Sequence, residues 1–533
     1  MSIHLRKHSM RFRYIPIIAF VLSSTLAVVA CGSEGGGQGT VTTDGALTIS
    51  APTDPGNLFP PKTLNATARQ LAVFGYESLV SFGDDGKLAP WLAQSWDSSA
   101  TEVVFKLRDG VTCSDGSTLS AQMVADNYTW ITDPANSSAI RGVFVPPDLT
   151  ATADSAANTV TLKTAMPNPF LTEMVGQVLI VCSSGLSHPD EYSNRFDGTG
   201  LYTLTDASPG ESYTLTRRSD YTWGPGGTTS DTPGLPMTVT VNVITNNVTR
   251  ANLLLSGETN LATVTMPDSE RLETAGMPGI SASMLSAELF FNHDDAHVTA
   301  DPAVRMALVR STNTEEIADI LTGGNGSPAQ SFQSGLPKTC ALEDLNSSVP
   351  SFDEQDASRI LDAAGWIMGP DGLRSKNGRK LTVNILHLQG SERVAAFEYL
   401  ASQWKKLGVD VVIQTADSPV IQSILFSGNS GNWDVVDLAI GGVSFPSMMV
   451  PFFSGAGPQN FAKIKNPAFD LNVAVAMNTL GLEGCPQWQE AERAIVANAD
   501  VLPIGWSSTV AYTDGFTARQ VIPIEPWSIR TTE

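Results

Sequence analysis

A mixed α/β fold is predicted by three features of this 533-residue sequence. Apolar residues at helical spacing run across a single glycine into a β-type run, as at Val394, Phe397, Ala401 and Trp404, then Gly408, then residues 409–413. Short apolar runs bounded by Gly, Pro, Asn and Asp alternate with the helical stretches. Hydrophobic residues make up 42% of the chain and charged ones 16%, so large cores can be buried. The length calls for roughly two or three domains.

The elements follow in chain order. Residues 46–50 (ALTIS) read as a first strand that enters a loop over 51–61, rich in Pro, Asp, Gly and Asn. Residues 103–107 read as another strand, and Asp109-Gly110 after them suits a tight hairpin turn. Beyond Asp115-Gly116, Ser120 can cap a helix by accepting a free N–H of its first turn; Val124, Tyr128 and Ile131 share that helix's apolar face. Residues 288–292 and 502–512 are extended, aromatic-containing runs. Asp301-Pro302 starts a helix, with Asp as the cap and Pro at the first helical position. Ala357, Ile360, Leu361 and Ala364 form one more apolar face, ended by Gly365. No short-period repeat is visible.

At the start, Arg6, Lys7, Arg11 and Arg13 precede an apolar stretch over 14–30 that is too short and too rich in small residues at its end for a stable membrane span. It reads as an export signal. Val28-Val29-Ala30-Cys31-Gly32 resembles the lipobox of bacterial lipoproteins, which implies that the Cys31 thiol is acylated and becomes the mature N-terminus. Residues 1–30 are then the lipoprotein signal peptide and 31–44 a flexible tether, Gly-rich from Gly32 to Gln38. An ordinary signal peptide or a signal anchor with a chance cysteine is the alternative, and Met10 would serve as a start as well as Met1. The expected location is extracytoplasmic, held to the cell membrane by lipid. The net charge of −22 argues against nucleic acid or an anionic membrane surface as a partner. Apart from Cys31, four cysteines remain (Cys113, Cys182, Cys340, Cys485); an oxidising compartment permits two disulfides among them in three connectivities, with buried free thiols as the alternative.

Ala89 to Trp96 (APWLAQSW), Phe105 to Val111 (FKLRDGV) and Asp115-Gly116 resemble the paired signature of the family 5 extracellular solute-binding proteins, the receptors of ABC importers. Similarity continues through Gly198-Thr199-Gly200-Leu201-Tyr202, Arg217, Asp220, Tyr221, LLSGE at 254–258, Phe291-Asn292, DPAVRMA at 301–307, DAAGW at 362–366, WKKLGV at 404–409 and Trp433-Asp434-Val435. The resemblance implies a two-lobed periplasmic-binding-protein-like fold of type II, of the large cluster with an extra subdomain in lobe I. Lobe I would hold 45–284, with the subdomain at about 81–190, and lobe II 285–505; residues 506–533 would return to lobe I. The runs at 288–292 and 502–512 suit the hinge strands of such a fold. With lobes so divided, Cys113–Cys182 and Cys340–Cys485 is the pairing that leaves the hinge free.

The resemblance also implies a solute or peptide ligand and ABC permease subunits as partners. In peptide-binding members a loop reading approximately Gly-Trp-x-x-Asp-Tyr-Pro holds the peptide ammonium on its Asp; here Ser444 stands at that place, in a stretch ending Ser444-Phe445-Pro446. A hydroxyl accepts a hydrogen bond but does not neutralise a buried ammonium. Peptides remain the expected ligand class, with oligosaccharides or metal chelates as the alternative. Tyr76-Glu77 resembles a segment whose Glu faces the cleft, and Asn57, within 54–58, Phe445 and Trp506 complete the candidate ligand contacts. Asp434 and Asp437, in the apparent strand before the Ser444 loop, read as structural.

Catalytic motifs are absent: no Gly-x-Ser-x-Gly elbow, phosphate loop or CxxC occurs. His293 and His297 have the i, i+4 spacing of a helical metal pair without the HExxH pattern, and read as a solvated loop rather than a metal site. No cofactor or metal is expected, and a secreted hydrolase or an adhesin lipoprotein is the reading from another class. Lipidation is directly testable: the Cys31→Ala form should lose partitioning into detergent and move to the soluble fraction of a bacterial host, whereas an unmodified protein already soluble and unlipidated would refute the anchor.

Overall fold

The computed structural model describes residues 41–532 except 43, 84–85, 325, 335–337, 427–431, 439–443, 458, 520 and 522, so Cys31 and the export signal lie outside the described residues. One mixed sheet runs through the chain. Its strands are β1 (Ala46–Ala51), β2 (Tyr202–Ser208), β3 (Ser212–Arg217), β4 (Thr238–Val243), β5 (Leu261–Thr263), β6 (Gly279–Phe291), β7 (Gly326–Ser327), β8 (Thr382–Leu388), β9 (Asp410–Ala416), β10 (Val435–Asp437) and β11 (Val501–Thr513). They lie in the order β9-β8-β10-β6-β11-β5-β1-β4-β3-β2, with β7 added on β11.

Two parallel groups flank an antiparallel centre: β1 pairs with β4 and β5, and β8 with β9 and β10. Between them, β6 and β11 pair antiparallel from Gly279 opposite Tyr512 to Phe290 opposite Val501. The register slips between Leu285 and Glu288, opposite Trp506 to Pro503. The extended runs expected at 288–292 and 502–512 are therefore parts of two long strands, each 13 residues.

Distinct hydrophobic cores form on either side. Leu47, Ile49, Val239 and Val241 pack with Phe74, Tyr202 and Leu215 on one side. On the other, Leu289, Phe291, Val383, Ile385 and Leu502 pack with Phe397, Leu400 and Trp404 of the helix Ser391–Lys406. That helix ends as expected: Gly408 has φ +87°, a conformation glycine takes without strain, and the chain enters β9 two residues later. Trp404 is fully buried and its indole donates to the Leu308 carbonyl and the Thr312 hydroxyl, so Trp404→Ala would cost about 3–5 kcal/mol in packing alone.

Between β1 and β2 lies a four-stranded antiparallel sheet, Ala93–Ser98, Glu102–Leu107, Thr159–Lys163 and Thr150–Asp154 in spatial order. Over it packs the helix Ala121–Thr132, capped by Ser120, whose hydroxyl accepts from Met123 N–H at 3.2 Å. The hairpin expected at Asp109-Gly110 is corrected. Glu102–Leu107 pairs with strands before and after it in the chain, and the small hairpin closes instead around Asp115-Gly116, with Thr112 bridged to Thr118. The subdomain shares lobe I's core, but Phe170 and Met174 pack into the core formed by Phe445, Trp488 and Trp506.

The cysteines pair as Cys113–Cys182, with Cα atoms 6.3 Å apart, and Cys340–Cys485, at 4.8 Å. The first pair spans 69 positions, which in the chain-entropy description stabilises the fold by about 4 kcal/mol. A Cys113→Ser, Cys182→Ser double variant should unfold at lower guanidinium by about that free energy. Peptide mapping without reduction should recover both pairs, and a disulfide between Cys113 or Cys182 and Cys340 or Cys485 would contradict the fold.

Candidate functional site

In open α/β sheets, ligands sit beyond the carboxyl ends of parallel strands. In lobe II these ends are Leu388, Ala416 and Asp437. Arg393, in the first turn of the helix that follows β8, binds Asp437 through one guanidinium nitrogen and donates from the other to the Ser286 carbonyl at 2.7 Å. The end of β10 is thus tied to the place where β6 changes register. Burial pushes the Asp437 carboxyl up, and the Arg393 cation opposes that shift.

The loop after β10 leads to Ser444 and Phe445. Phe445 is fully buried and stacks on Phe170, ring centroids 5.6 Å apart, while Trp488 stands 6.2 Å from the same Phe170 ring. Aromatic rings from distant parts of the chain therefore meet at one point. Residues 326–334 and 338–345 form a strap that completes the wall. Trp506 on β11 donates its indole N–H to the Ser331 carbonyl at 3.1 Å, and the Lys338 ammonium lies 4.4 Å from the Trp506 ring. The strap is anchored from below by Glu492, which accepts from the Ser331 hydroxyl, the Phe332 N–H and the Gln333 amide. Burial raises the Glu492 carboxyl to about 7. The Cys340–Cys485 bond and a hydrogen bond from Thr339 N–H to the Ser444 carbonyl bring the strap against the Ser444 loop.

Glu77 is elsewhere. It is 1% exposed inside lobe I, where it accepts from Tyr221 Oη at 2.5 Å, Thr199 Oγ1 at 2.8 Å and Trp223 Nε1 at 2.9 Å. Gly198 and Gly200 make this possible by close approach. A Cβ on either would lie 2.3 or 2.4 Å from the Gly75 backbone, so glycines let Thr199 reach the carboxylate. Motif residues up to 146 positions apart converge on one buried carboxylate.

The candidate contacts therefore divide. Glu77 is corrected from a cleft-facing anchor to the centre of this network, because its hydrogen-bonding oxygens are taken by donors of its own lobe. Tyr76 is likewise core: it is fully buried, with its hydroxyl between the Arg195 carbonyl and the Asp197 N–H and its ring edge-on to Phe196. Asn57 is exposed, but its side-chain oxygen accepts from Phe59 N–H at 2.9 Å and shapes its own loop. Ser444, Phe445 and Trp506 lie at the lobe II wall. Phe170, Trp488, Lys338 and Arg393, which the sequence reading did not single out, stand beside them. Pro169 before Phe170 marks a turn, but nothing local pairs Phe170 with a residue 275 positions away.

His293 and His297 are not solvated, a second correction. Their side chains are 7% and 9% exposed; His297 pairs with Asp434 at 3.0 Å, and His293 lies 3.5 Å from Asp500. Burial pushes His293 down to about 3. Among the described residues, no group of three or more His, Cys, Asp or Glu is placed to hold a metal ion.

The family model for bacterial extracellular solute-binding proteins, family 5 middle, matches residues 87–460. The chain is a family 5 extracellular solute-binding protein. It is 27% identical over 415 residues to Protein XP55 of Streptomyces lividans, covering 74% of this chain and 71% of that one. It is 26% identical over 360 residues to the nickel-binding periplasmic protein of Escherichia coli strain K12, covering 63% and 64% respectively. Among solved structures, the family 5 receptor resembles the NikA of Brucella suis in complex with Fe(III)-EDTA, with a TM-score of 0.71 and 21% identity over 92% of this chain and all of that one. It also resembles the unliganded open form of the murein tripeptide binding protein MppA, with a TM-score of 0.72 and 20% identity over 93% and 99%. These likenesses show the two-lobed fold.

The Glu77 network sets a pH dependence. Burial raises the carboxyl, against the pull of the Tyr221, Thr199 and Trp223 donors, to about 7 in the folded protein, from an ordinary 4.5. A raised folded value means that its stabilising contribution is fully present below pH 4.5 and is lost as pH rises through 7. Glu77→Gln keeps an oxygen for Thr199 and Trp223 and an amide for Tyr221. Denaturation curves between pH 4.5 and 7 should show the parent losing about 3 kcal/mol more than the variant; parallel pH profiles would refute the assignment.

Proposed function

We propose that this protein is a lipid-anchored extracytoplasmic receptor that captures a peptide between its two lobes, without chemistry, and delivers it to the permease subunits of an ABC importer. The observation that carries the reading is the family match over residues 87–460, joined to a sheet whose long β6–β11 pair links two separate cores. The lobe division at 284/285 and 505/506 is supported by the register slip of those strands, which falls at the same residues. Closure over a ligand would bend this pair, while Phe170 already rests against Phe445 and Trp488.

The site is not built around a free peptide N-terminus. Ser444 offers a hydroxyl where a carboxylate would be needed, and Lys338 places an ammonium beside the same loop; both disfavour a ligand cation. Ser444, Phe445 and Trp506 are the contacts proposed for the ligand. The same Ser444 observation favours a second reading, a receptor for a metal chelate or another non-peptide solute, and the relative named for nickel fits that range. Relatives named as nickel-, glutathione- and oligopeptide-binding proteins speak against a hydrolase or an adhesin.

Calorimetry with di- to pentapeptides and their N-acetylated counterparts tests the reading. Acetylation should weaken binding by less than about twofold. Tight binding that needs the free amine would overturn the site assignment, and no heat from any peptide would shift the function to the non-peptide reading.

A further inference from the structure

We propose that lobe II carries a second small-molecule site, for a hydroxyl-bearing organic anion of about monosaccharide size, at the amino ends of β8 and β10. The residues that place it there are His297, Arg379, Lys380, Thr382, Asn384 and Asp434, which line a cavity of about 470 Å³. That volume falls in the range of small-molecule sites. The cavity is separate from the inter-lobe wall. Thr382 and Asn384 begin β8 and Asp434 precedes β10, whereas Arg393, Ser444 and Phe445 follow the opposite ends of those strands. Seven residues of β8 put about 20 Å between the two ends.

The floor of the cavity is preorganised. Asp434, 3% exposed, accepts from the Asn384 backbone N–H and side-chain amide, each at 2.7 Å, and contacts His297 Nδ1 at 3.0 Å. A carboxylate held by three donors only accepts, so His297 Nδ1 carries the hydrogen of that contact. Burial alone would raise the Asp434 carboxyl, but the hydrogen bonds from His297 and Asn384 hold it below the ordinary range. Its charge is thus met within the protein and does not call for a ligand cation.

The rim is cationic. Arg379 donates from Nη2 to the Ala296 carbonyl at 2.8 Å, which fixes the guanidinium plane while its other N–H groups remain for a ligand. Lys380 is held at 3.0 Å by Asp371, and both of these side chains are exposed. A planar guanidinium with N–H groups left over suits two oxygens of one carboxylate or phosphoryl group, and Lys380 adds a second cation to the lining. The Asn384 amide nitrogen is spent on Asp434, so its side-chain oxygen is an acceptor matched to a hydroxyl hydrogen. A sugar acid and a sugar phosphate share this chemistry.

The test is calorimetry of the purified protein with glucuronate, glucose 6-phosphate and glucose, together with hydrogen-exchange mass spectrometry. At least one of the anions should bind, glucose at least tenfold more weakly, with new protection at 294–298 and 379–384. An Arg379→Gln, Lys380→Gln variant, altered at exposed positions and expected to keep the parent's denaturation midpoint, should bind the anion at least tenfold more weakly; Arg379→Lys should fall between. Glucuronate bound above glucose 6-phosphate assigns a carboxylate, and the reverse a phosphoryl group. No binding of either anion, equal binding of glucose, unchanged binding by the double variant, or protection at 444–446 and 506 instead would each overturn the second site. None of these results depends on whether the cleft takes a peptide.

Discussion

The antiparallel pairing of β6 with β11 is the constraint on which the rest of the structure depends. Both strands cross from one core to the other, so the sheet is continuous through the molecule while its cores are separate. A two-stranded ribbon bends and twists more readily than a wide packed sheet, and the slip between Leu285 and Glu288 is a local break in its ladder. Around that break the structure places its cross-links: Arg393 ties Asp437 to the Ser286 carbonyl, and Trp506 ties β11 to the strap at Ser331. Movement at the ribbon is thereby coupled to the wall that carries Ser444 and Phe445.

Rigidity on either side of that ribbon is obtained in two ways. Lobe I is organised around the buried Glu77 carboxyl, whose desolvation is offset by three donors drawn from a distant segment. Lobe II uses a disulfide, Cys340–Cys485, with the buried Glu492 network beneath the same strap. Each holds a loop that its own sequence would leave free. The Cys113–Cys182 bond does the same work for the subdomain, and neither disulfide crosses the ribbon.

The parallel strands of lobe II also have two chemically different ends. Their carboxyl ends lead to stacked aromatic rings and to an Arg393–Asp437 pair whose carboxylate is buried. Their amino ends meet solvent through Arg379, Lys380 and an internally paired His297–Asp434 floor. On a chain of net charge −22, a pocket with a cationic rim stands out from its surroundings.

Local chemistry determined much of this protein in advance. The Ser120 and Asp301 caps, the glycine stops at Gly365 and Gly408 and the strands at 46–50 and 409–413 were legible because each depends on residues within one or two turns. The family was legible because its motifs keep their order along the chain. The surroundings of the candidate residues were not legible: Glu77, Tyr76 and the histidine pair are buried in networks of their own. What a carboxylate or an imidazole faces depends on which distant donors reach it. Thr199, Tyr221 and Trp223 reach Glu77 across up to 146 positions, and Asp434 reaches His297 across 137. Burial of those groups, the meeting of Phe170 with Phe445 and the pocket at the far ends of the strands were decided by tertiary structure, because no spacing along the chain encodes which surfaces the packed sheet brings together.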